Sequence, residues 1–439
     1  MKRYDEYKQT GTPWIGEIPS HWEVKRIKHI SKVFGRIGFR GYTNSDIVNE
    51  GEGAITLSPS NIIDGRMDYS KCSYLSWDKY YESPEIMICN GDVLFVKTAS
   101  VGKTALVENL PMEATINPQI VVIKEIHSNN RYLAYLMGTN VIDSQMRVKL
   151  GGSTIYTITQ HSIENYQIPI PPLSEQEAIA AYLDKKCGSI DAVISTQERR
   201  IALLEELKQS VITEAVTHGI NPDAKLRPSG IDWIGNIPEH WQCRRLRFIC
   251  EFRNGYTPSK ANPDFWTDGT IPWYRMEDIR DSGRRLNEAK QYVTKEAVKG
   301  GGLFEAGSFI LATTATIGEH AVLIVDSLAN QQFTNLKIRK SLSEVVDNEF
   351  FFYYLFVIDE YCKSTTKTAT FAAVNIDDLK NFAVTIPSYN EQLQIVEYIK
   401  HKTSSIDASI AKAKREIELL RELKQSVITE AVTGKIKIF

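Results

Sequence analysis

A chain of 439 residues with 42% hydrophobic and 24% charged residues has the make-up of a globular protein of two or three domains, which excludes a disordered or fibrous polypeptide. Its net charge of −2 excludes a chain held to nucleic acid by bulk charge alone, so any such contact rests on where the cations lie. The opening MKRYDEYKQTGTPW lacks an apolar core of signal-peptide length and no uncharged apolar run is long enough to span a bilayer, so a cytoplasmic location is the expectation.

In chain order, the first feature is Trp14-Ile15-Gly16-Glu17-Ile18-Pro19-Ser20-His21-Trp22, followed between Val24 and Arg40 by six cations (Lys25, Arg26, Lys28, Lys32, Arg36, Arg40) and no acid. Such a tract suits phosphates, although an amphipathic solvated face would look alike. The apolar runs Val93–Val96 and Ile120–Ile123, bounded by Gly, Pro and Asn, predict strands, and the stretch from Asn130 to Val148 predicts helix. A proline-bounded strand, Ile168 to Pro172, then leads into a stretch with no proline and one glycine, Gly188. Ser174 with Glu177 three residues on has the spacing of a helix N-cap box, and a continuous helix to Thr217 would be roughly 65 Å long.

The sequence then repeats itself. Trp233-Ile234-Gly235-Asn236-Ile237-Pro238-Glu239-His240-Trp241 returns 219 positions after its first copy, and LKQSVITEAVT at Leu207–Thr217 returns unchanged at Leu423–Thr433, 216 positions later. The same offset of 216 pairs Gly91 with Gly307, Gly102 with Gly318, Pro171 with Pro387 and Glu175-Gln176 with Glu391-Gln392. A second basic tract runs from Arg244 to Lys260, a strand is predicted at Phe309–Leu311, a helix from Asp347 to Cys362, and a strand from Val384 to Pro387. Much of the intervening sequence has diverged, as expected of two copies that keep one scaffold and serve different targets.

Apolar residues recur at heptad spacing in both proline-free stretches. The first seam takes Leu183, Ile190, Ile194, Ile201, Leu204 and Val211; the second takes Ile399, Ile406, Ile410, Ile417, Leu420 and Val427. Neither stretch is apolar all round, so each predicts the other as its cover, and a pseudo-two-fold axis between the copies makes the pair antiparallel. The expected fold is α+β: globular domains at 1–172 and 221–387, helices at 173–220 and 388–439 forming an antiparallel coiled coil, and an internal pseudo-two-fold repeat. The globular domains are then expected at opposite ends of a stiff rod, an arrangement suited to measuring a split DNA site.

Several motifs point elsewhere. Gly102-Lys103-Thr104 resembles the tail of a phosphate-binding loop, but the required glycine five residues earlier is Lys97. Asp264, Glu288 and Lys290 match a loose metal-dependent nuclease pattern, in which two carboxylates hold a metal and a lysine assists the attacking water. Asn117-Pro118-Gln119 lacks the aromatic of an adenine methyltransferase turn. His21-Trp22 and His240-Trp241 read as core aromatics with a polar partner. The six cysteines (Cys72, Cys89, Cys187, Cys243, Cys250, Cys362) form no C-x-x-C pair and are read as reduced and structural, with no metal.

Taken together, W-I-G-x-I-P-x-H-W, the loop Ala99-Ser100-Val101-Gly102-Lys103, the Asn117-Pro118-Gln119 turn, and I-P-x-P-P-x-x-E-Q before a helix ending LKQSVITEAVT closely resemble the specificity subunits of type I restriction-modification systems, over essentially the full chain. The second copy departs at Ile317-Gly318-Glu319 and at Asn330-Gln331-Gln332. The resemblance implies two target-recognition domains, each reading a few base pairs of a bipartite double-stranded site, and helices that space them and dock methyltransferase subunits. It implies no catalytic residues and no cofactor in this chain. S-adenosylmethionine, ATP and Mg would sit on partners, two methyltransferase and two restriction subunits. Candidate DNA contacts in the first domain are Arg36, Arg40, Asn61, Arg66, Lys97, Thr98, Ser100, Lys103 and Thr104. In the second they are Arg253, Asn254, Tyr256, Arg275, Glu277, Thr313, Thr314 and Thr316, chosen as donors and acceptors that suit phosphate and base edges. Specificity for another bipartite-site restriction-modification type, a metal-dependent nuclease, and a two-headed protein adaptor remain as alternatives.

Overall fold

The computed structural model describes residues 3–149, 157–231, 233–314, 316–366 and 374–438. They form two compact units, Met1–Glu198 with Arg415–Phe439, and Arg199–Lys414. Each unit therefore contains one globular domain, the beginning of the long helix that follows that domain, and the end of the other long helix. The helices run Leu173–His218 and Tyr389–Val432.

In the first unit, an antiparallel sheet has the strand order Thr104–Leu106, Val93–Val96, Ile120–Lys124, Lys32–Gly35. Val93, Phe95, Val121 and Ile123 all point to a core that also holds Trp22, Tyr132 and Leu136. Their neighbours Leu94, Val96, Ile120 and Val122 face a second core over the other four-stranded sheet, so these strands are buried on both faces and read as unbroken apolar runs. The predicted helix from Asn130 to Val148 is two helices, Asn130–Met137 and Asn140–Lys149, parted at Gly138. Glu23–Arg26 pairs with Gln167–Ile170, so the start and end of the domain close on each other beside the long helix.

The second unit repeats that sheet in the same order, with His320–Leu323, Phe309–Ala312, Phe333–Ile338 and Cys250–Asn254, and adds the short strand Arg285–Leu286. Its closing pair is Gln242–Arg245 with Ala383–Ile386. Asn348–Thr366 is here one helix, and its apolar face, including Phe350, Phe351, Tyr354 and Ile358, fills the core.

The duplicated motifs occupy equivalent places. Glu175, in the first turn of its helix, accepts Trp22 Nε1 at 2.9 Å and His21 Nε2 at 2.6 Å; Glu391 does the same for Trp241 at 3.0 Å and His240 at 2.8 Å. Both indoles are buried and both imidazoles exposed, in keeping with aromatics that carry a polar partner. The next residue, Gln176 or Gln392, accepts the backbone N–H of Asn129 or Asp347 at 2.8 Å, fixing the entry to the domain helix. The Ser174 cap is corrected: the first helix already starts at Leu173, and Glu175 N and Gln176 N donate to Pro172 O. In the second helix the capping hydroxyl is Ser388, the repeat counterpart of Pro172, which accepts Glu391 N at 3.4 Å.

LKQSVITEAVT is identical in the two copies because each copy ends in the same kind of socket. In the first unit Ile428, Ala431 and Val432 join the core, Tyr132 Oη donates to Val432 O, and Gln425 Nε2 donates to Gly138 O. In the second, Ile212, Ala215 and Val216 join the core, Thr385 Oγ1 donates to Val216 O, and Gln209 Nε2 donates to Phe356 O. Each tail ends on a left-handed glycine, Gly434 (φ 72°) or Gly219 (φ 85°), where a Cβ would press on Trp22 or Trp241.

Candidate nucleic-acid interface

The two domains carry one loop with two chemistries. In the first, Val96 N donates to Lys103 O, Gly102 N to Val96 O, and Lys97 N to Gln119 O. In the second, Ala312 N donates to Glu319 O, Gly318 N to Ala312 O, and Thr313 N to Gln332 O. Gly102 and Gly318 take φ of 93° and 90°. The supporting turns match as well: Asn117 Nδ2 donates to Gln119 Oε1 and Asn330 Nδ2 to Gln332 Oε1, both at 3.1 Å. Pro118 is therefore dispensable to the turn, since Gln331 occupies its place without altering those bonds. On this common backbone the repeat counterpart of Lys97 is Thr313, that of Lys103 is Glu319, and that of Thr104 is His320.

The sequence candidates in the first domain divide by what their polar atoms already hold. Arg36 is a correction: it is 6% exposed, donates to Ile116 O at 3.1 Å and Thr115 Oγ1 at 3.0 Å, and lies over the Tyr42 ring. Burial alone pushes its pKa down. Asn61 and Thr104 are buried too, Asn61 closing the 58–61 turn and donating to Asp68 O and Lys71 O, Thr104 donating to Leu94 O. These three hold the fold. Arg40 pairs with Glu85 at 3.3 Å, and Arg66 reaches Asp191 on the long helix at 3.1 Å. Ser100 and Lys103 are exposed, Lys103 only grazing Pro59 O and Ile62 O at 3.5 Å, and Thr98 is half-buried beside Thr157. Lys97 is half-buried and has no carboxylate partner among the described residues; loss of water lowers its pKa. A phosphate or a guanine edge would restore what burial takes from that amine.

In the second domain Arg253 binds Leu303 O and Gly302 O over the Phe304 ring, and Tyr256 Oη donates to Ala297 O, so both clamp the 297–303 loop. Thr313 is buried against Thr334. Arg275 pairs with Glu277, which also faces Lys290 at 3.8 Å. Asn254 is exposed, and Thr314 and Thr316 are half-buried on the loop. Residues missed by sequence reasoning lie under that loop. His320 is fully buried against Phe352 and Phe356, with Arg284 Nη1 3.0 Å from Nδ1, and Arg284 pairs with Glu319 at 3.1 Å. Burial and Arg284 push the His320 pKa well below the usual imidazole range. Asp359, paired with Lys363, sits so close to Gly318 that no side chain fits there. Offset-216 alignment of His320 with Thr104 was the available signal.

Of the nuclease triplet, Lys290 has its Nζ held by Asp281 at 2.5 Å, and among the described residues no group of three or more His, Cys, Asp or Glu is placed to hold a metal. Along the helices, every seam residue named from the heptads is buried or half-buried. Leu183, Ile194, Ile399, Ile406, Ile410, Ile417 and Val427 are buried, and Ile190, Ile201, Leu204, Leu420 and Val211 are half-buried. In the first unit Asp191 faces Lys424 and Glu198 faces Arg421; in the second, Lys208 faces Asp407 while Ile212 and Val216 share a core with Ile395 and Ile399. In both, residue numbers rise along one helix as they fall along the other, so the helices run antiparallel.

The family model for the type I restriction modification DNA specificity domain matches residues 19–205 and again 238–419. A stretch of 142 residues is 46% identical to the EcoprrI specificity subunit of Escherichia coli, covering 32% of this chain and 35% of that one. Over 450 residues the chain is 23% identical to the MjaVIII specificity subunit of Methanocaldococcus jannaschii, covering 96% and 94%. A solved structure described as the basis of assembly and conformational transition of the type I R-M system shares the fold, with a TM-score of 0.65 and 18% identity over 95% of this chain and 99% of that one. With two matches that together span most of its length, the chain belongs to the type I restriction-modification DNA specificity family and carries two specificity domains.

Proposed function

We propose that this chain is the DNA-reading, non-catalytic subunit of a type I restriction-modification complex, each domain recognising one half of a bipartite site. The observation that carries the reading is the pair of loops 97–103 and 313–319, which among the described residues share the same backbone anchors and differ in the side chains they present. A scaffold kept twice with its exposed chemistry changed is what two readers of two different half-sites require. Lys97 and Lys103 suit phosphate and guanine acceptors, while Glu319, tied to Arg284, leaves the second loop with threonine hydroxyls as its donors. The long helices set the spacer between half-sites and dock two methyltransferase subunits, to which two restriction subunits add. S-adenosylmethionine, ATP and Mg reside on those partners, and the assembly works in the cytoplasm. No helix among the described residues is long and apolar enough to cross a membrane.

The test is a genome-wide map of methylated adenine in a host expressing this chain with its methyltransferase. The reading expects a motif of two short specified blocks around an unspecified spacer. A continuous motif, or none dependent on the chain, would overturn it, and divalent-dependent cleavage by the chain alone would favour a nuclease.

A further inference from the structure

Resting on the reading that the second domain meets DNA through its 313–319 loop, we propose that Glu319 specifies a cytosine in the second half-site by accepting a hydrogen bond from its exocyclic amine. Arg284 is the residue that positions Glu319 for this contact.

Four positions around the loop differ together between the copies. The first domain has Gly65, Lys103, Thr104 and Met146 where the second has Arg284, Glu319, His320 and Asp359. Gly65 and Arg284 each precede the short strand that begins at Arg66 or Arg285, and each follows another left-handed residue, Asp64 or Gly283. Both take positive φ, 80° and 71°, a conformation natural to glycine and costly for arginine. Met146 and Asp359 correspond because each lies against the loop glycine: a Cβ on Gly102 would meet Met146 Cε, and one on Gly318 would meet Asp359 Oδ1. Strain kept at Arg284 implies that its guanidinium does something glycine cannot.

What it does is hold Glu319. Arg284 Nη2 lies 3.1 Å from Glu319 Oε2, Nη1 donates to His320 Nδ1 at 3.0 Å, and the guanidinium rests over the Phe356 ring. The backbone is pinned as well, since Val322 N donates to Arg284 O. Beneath the loop Lys363 pairs with Asp359 at 2.9 Å. Two cations thus face two carboxylates, and a set without net charge can approach phosphates where a lone carboxylate would be repelled. The Glu319 side chain is 25% exposed, and among the described residues no hydrogen bond holds its Oε1.

An ionised carboxylate only accepts. In the major groove the base donors are cytosine N4 and adenine N6, and adenine sets its N7 acceptor beside N6, which repels a carboxylate. Cytosine is the base that remains. Lys103, the counterpart of Glu319, only donates and suits guanine, so one loop position carries opposite readings in the two domains.

The test purifies the full chain with the adenine methyltransferase of the same genome, maps the bipartite site, and measures methylation of duplexes substituted one base pair at a time. Wild type should show a C·G pair in the second half where any replacement slows methylation about tenfold or more. Glu319→Gln, which can also pair with adenine N6 and N7, should accept adenine there nearly as well as cytosine, and Glu319→Lys should turn the preference to guanine. Arg284→Gly should lose discrimination at that pair while Arg284→Lys keeps part of it, a split that a merely structural role would not give. Every variant should read the first half-site as before, within about twofold. Unchanged discrimination throughout the second half in Glu319→Gln overturns the proposal. So does a change of equal size, up or down, on all duplexes, since the carboxylate would then act only as charge or scaffold. Failure of wild type to methylate any bipartite site overturns the functional reading instead.

Discussion

Lys424 Nζ stands 2.6 Å from Asp191 Oδ1, joining the end of one long helix to the beginning of the other within one unit. The repeat reproduces this pair as Lys208 and Asp407, also at 2.6 Å. Asp191 carries a second cation, Arg66 at 3.1 Å, so the domain, its own helix and the returning helix meet on one carboxylate.

Asp191→Ala should therefore destabilise the chain more than Lys424→Ala. The first strands two cations, one of them largely buried; the second leaves Asp191 still paired with Arg66. Losses of about 2–3 and about 1 kcal/mol are expected from denaturant unfolding. Equal losses would mean that Arg66 contributes nothing.

Two cations singled out together should behave oppositely. Arg36→Ala leaves Ile116 O and Thr115 without their buried donor and should cost about 2–4 kcal/mol of stability. Lys97→Ala removes an amine with no carboxylate partner among the described residues. It should leave stability within about 0.5 kcal/mol while weakening DNA binding and lowering its salt dependence by about one counterion. Titrating both variants with the methylated site's duplex at several salt concentrations decides it.

The strands, the helices and the seam were legible because burial writes a period into sequence, and Val93–Val96 and the heptads carry it plainly. The antiparallel pairing followed from the repeat. What the sequence could not show was which polar residues turn inward. Arg36, Asn61 and Arg253 are indistinguishable from surface donors until the carbonyls they bind, many tens of residues away or across a loop, are brought to them. The split of each helix between two units was hidden for the same reason, since it depends on long-range contacts of LKQSVITEAVT.

His320 gives the second unit a pH dependence. Its folded pKa lies well below the unfolded value of about 6.5, so the fold favours the neutral ring. The sign follows: its stabilising contribution is complete above pH about 6.5 and is lost as pH falls below that value. Asp359, raised by burial, works in the opposite direction but in the carboxylate range. The difference in stability between wild type and His320→Gln, measured from pH 8 to pH 5, should shrink as pH falls. A constant difference would contradict the buried neutral imidazole.

Because each unit holds a segment of both helices, lengthening one helix alone would pull Lys208 or Lys424 out of register. Matched insertions of seven helix-forming residues after Glu198 and after Lys414 keep every pair within its unit and preserve the heptad face. They add about 10 Å of rise, so the unspecified spacer of the methylated site should grow by about three base pairs with the same half-sites. An unchanged spacer would show that something other than the helices sets it.

The central claim is that two domains read independently. It is tested most directly by replacing residues 20–172 with the matching domain of a relative of different specificity and mapping methylated adenine. The account predicts that one half-site changes to the donor's while the other half and the spacer stay as they were. A map in which both halves change together, or neither does, would contradict it.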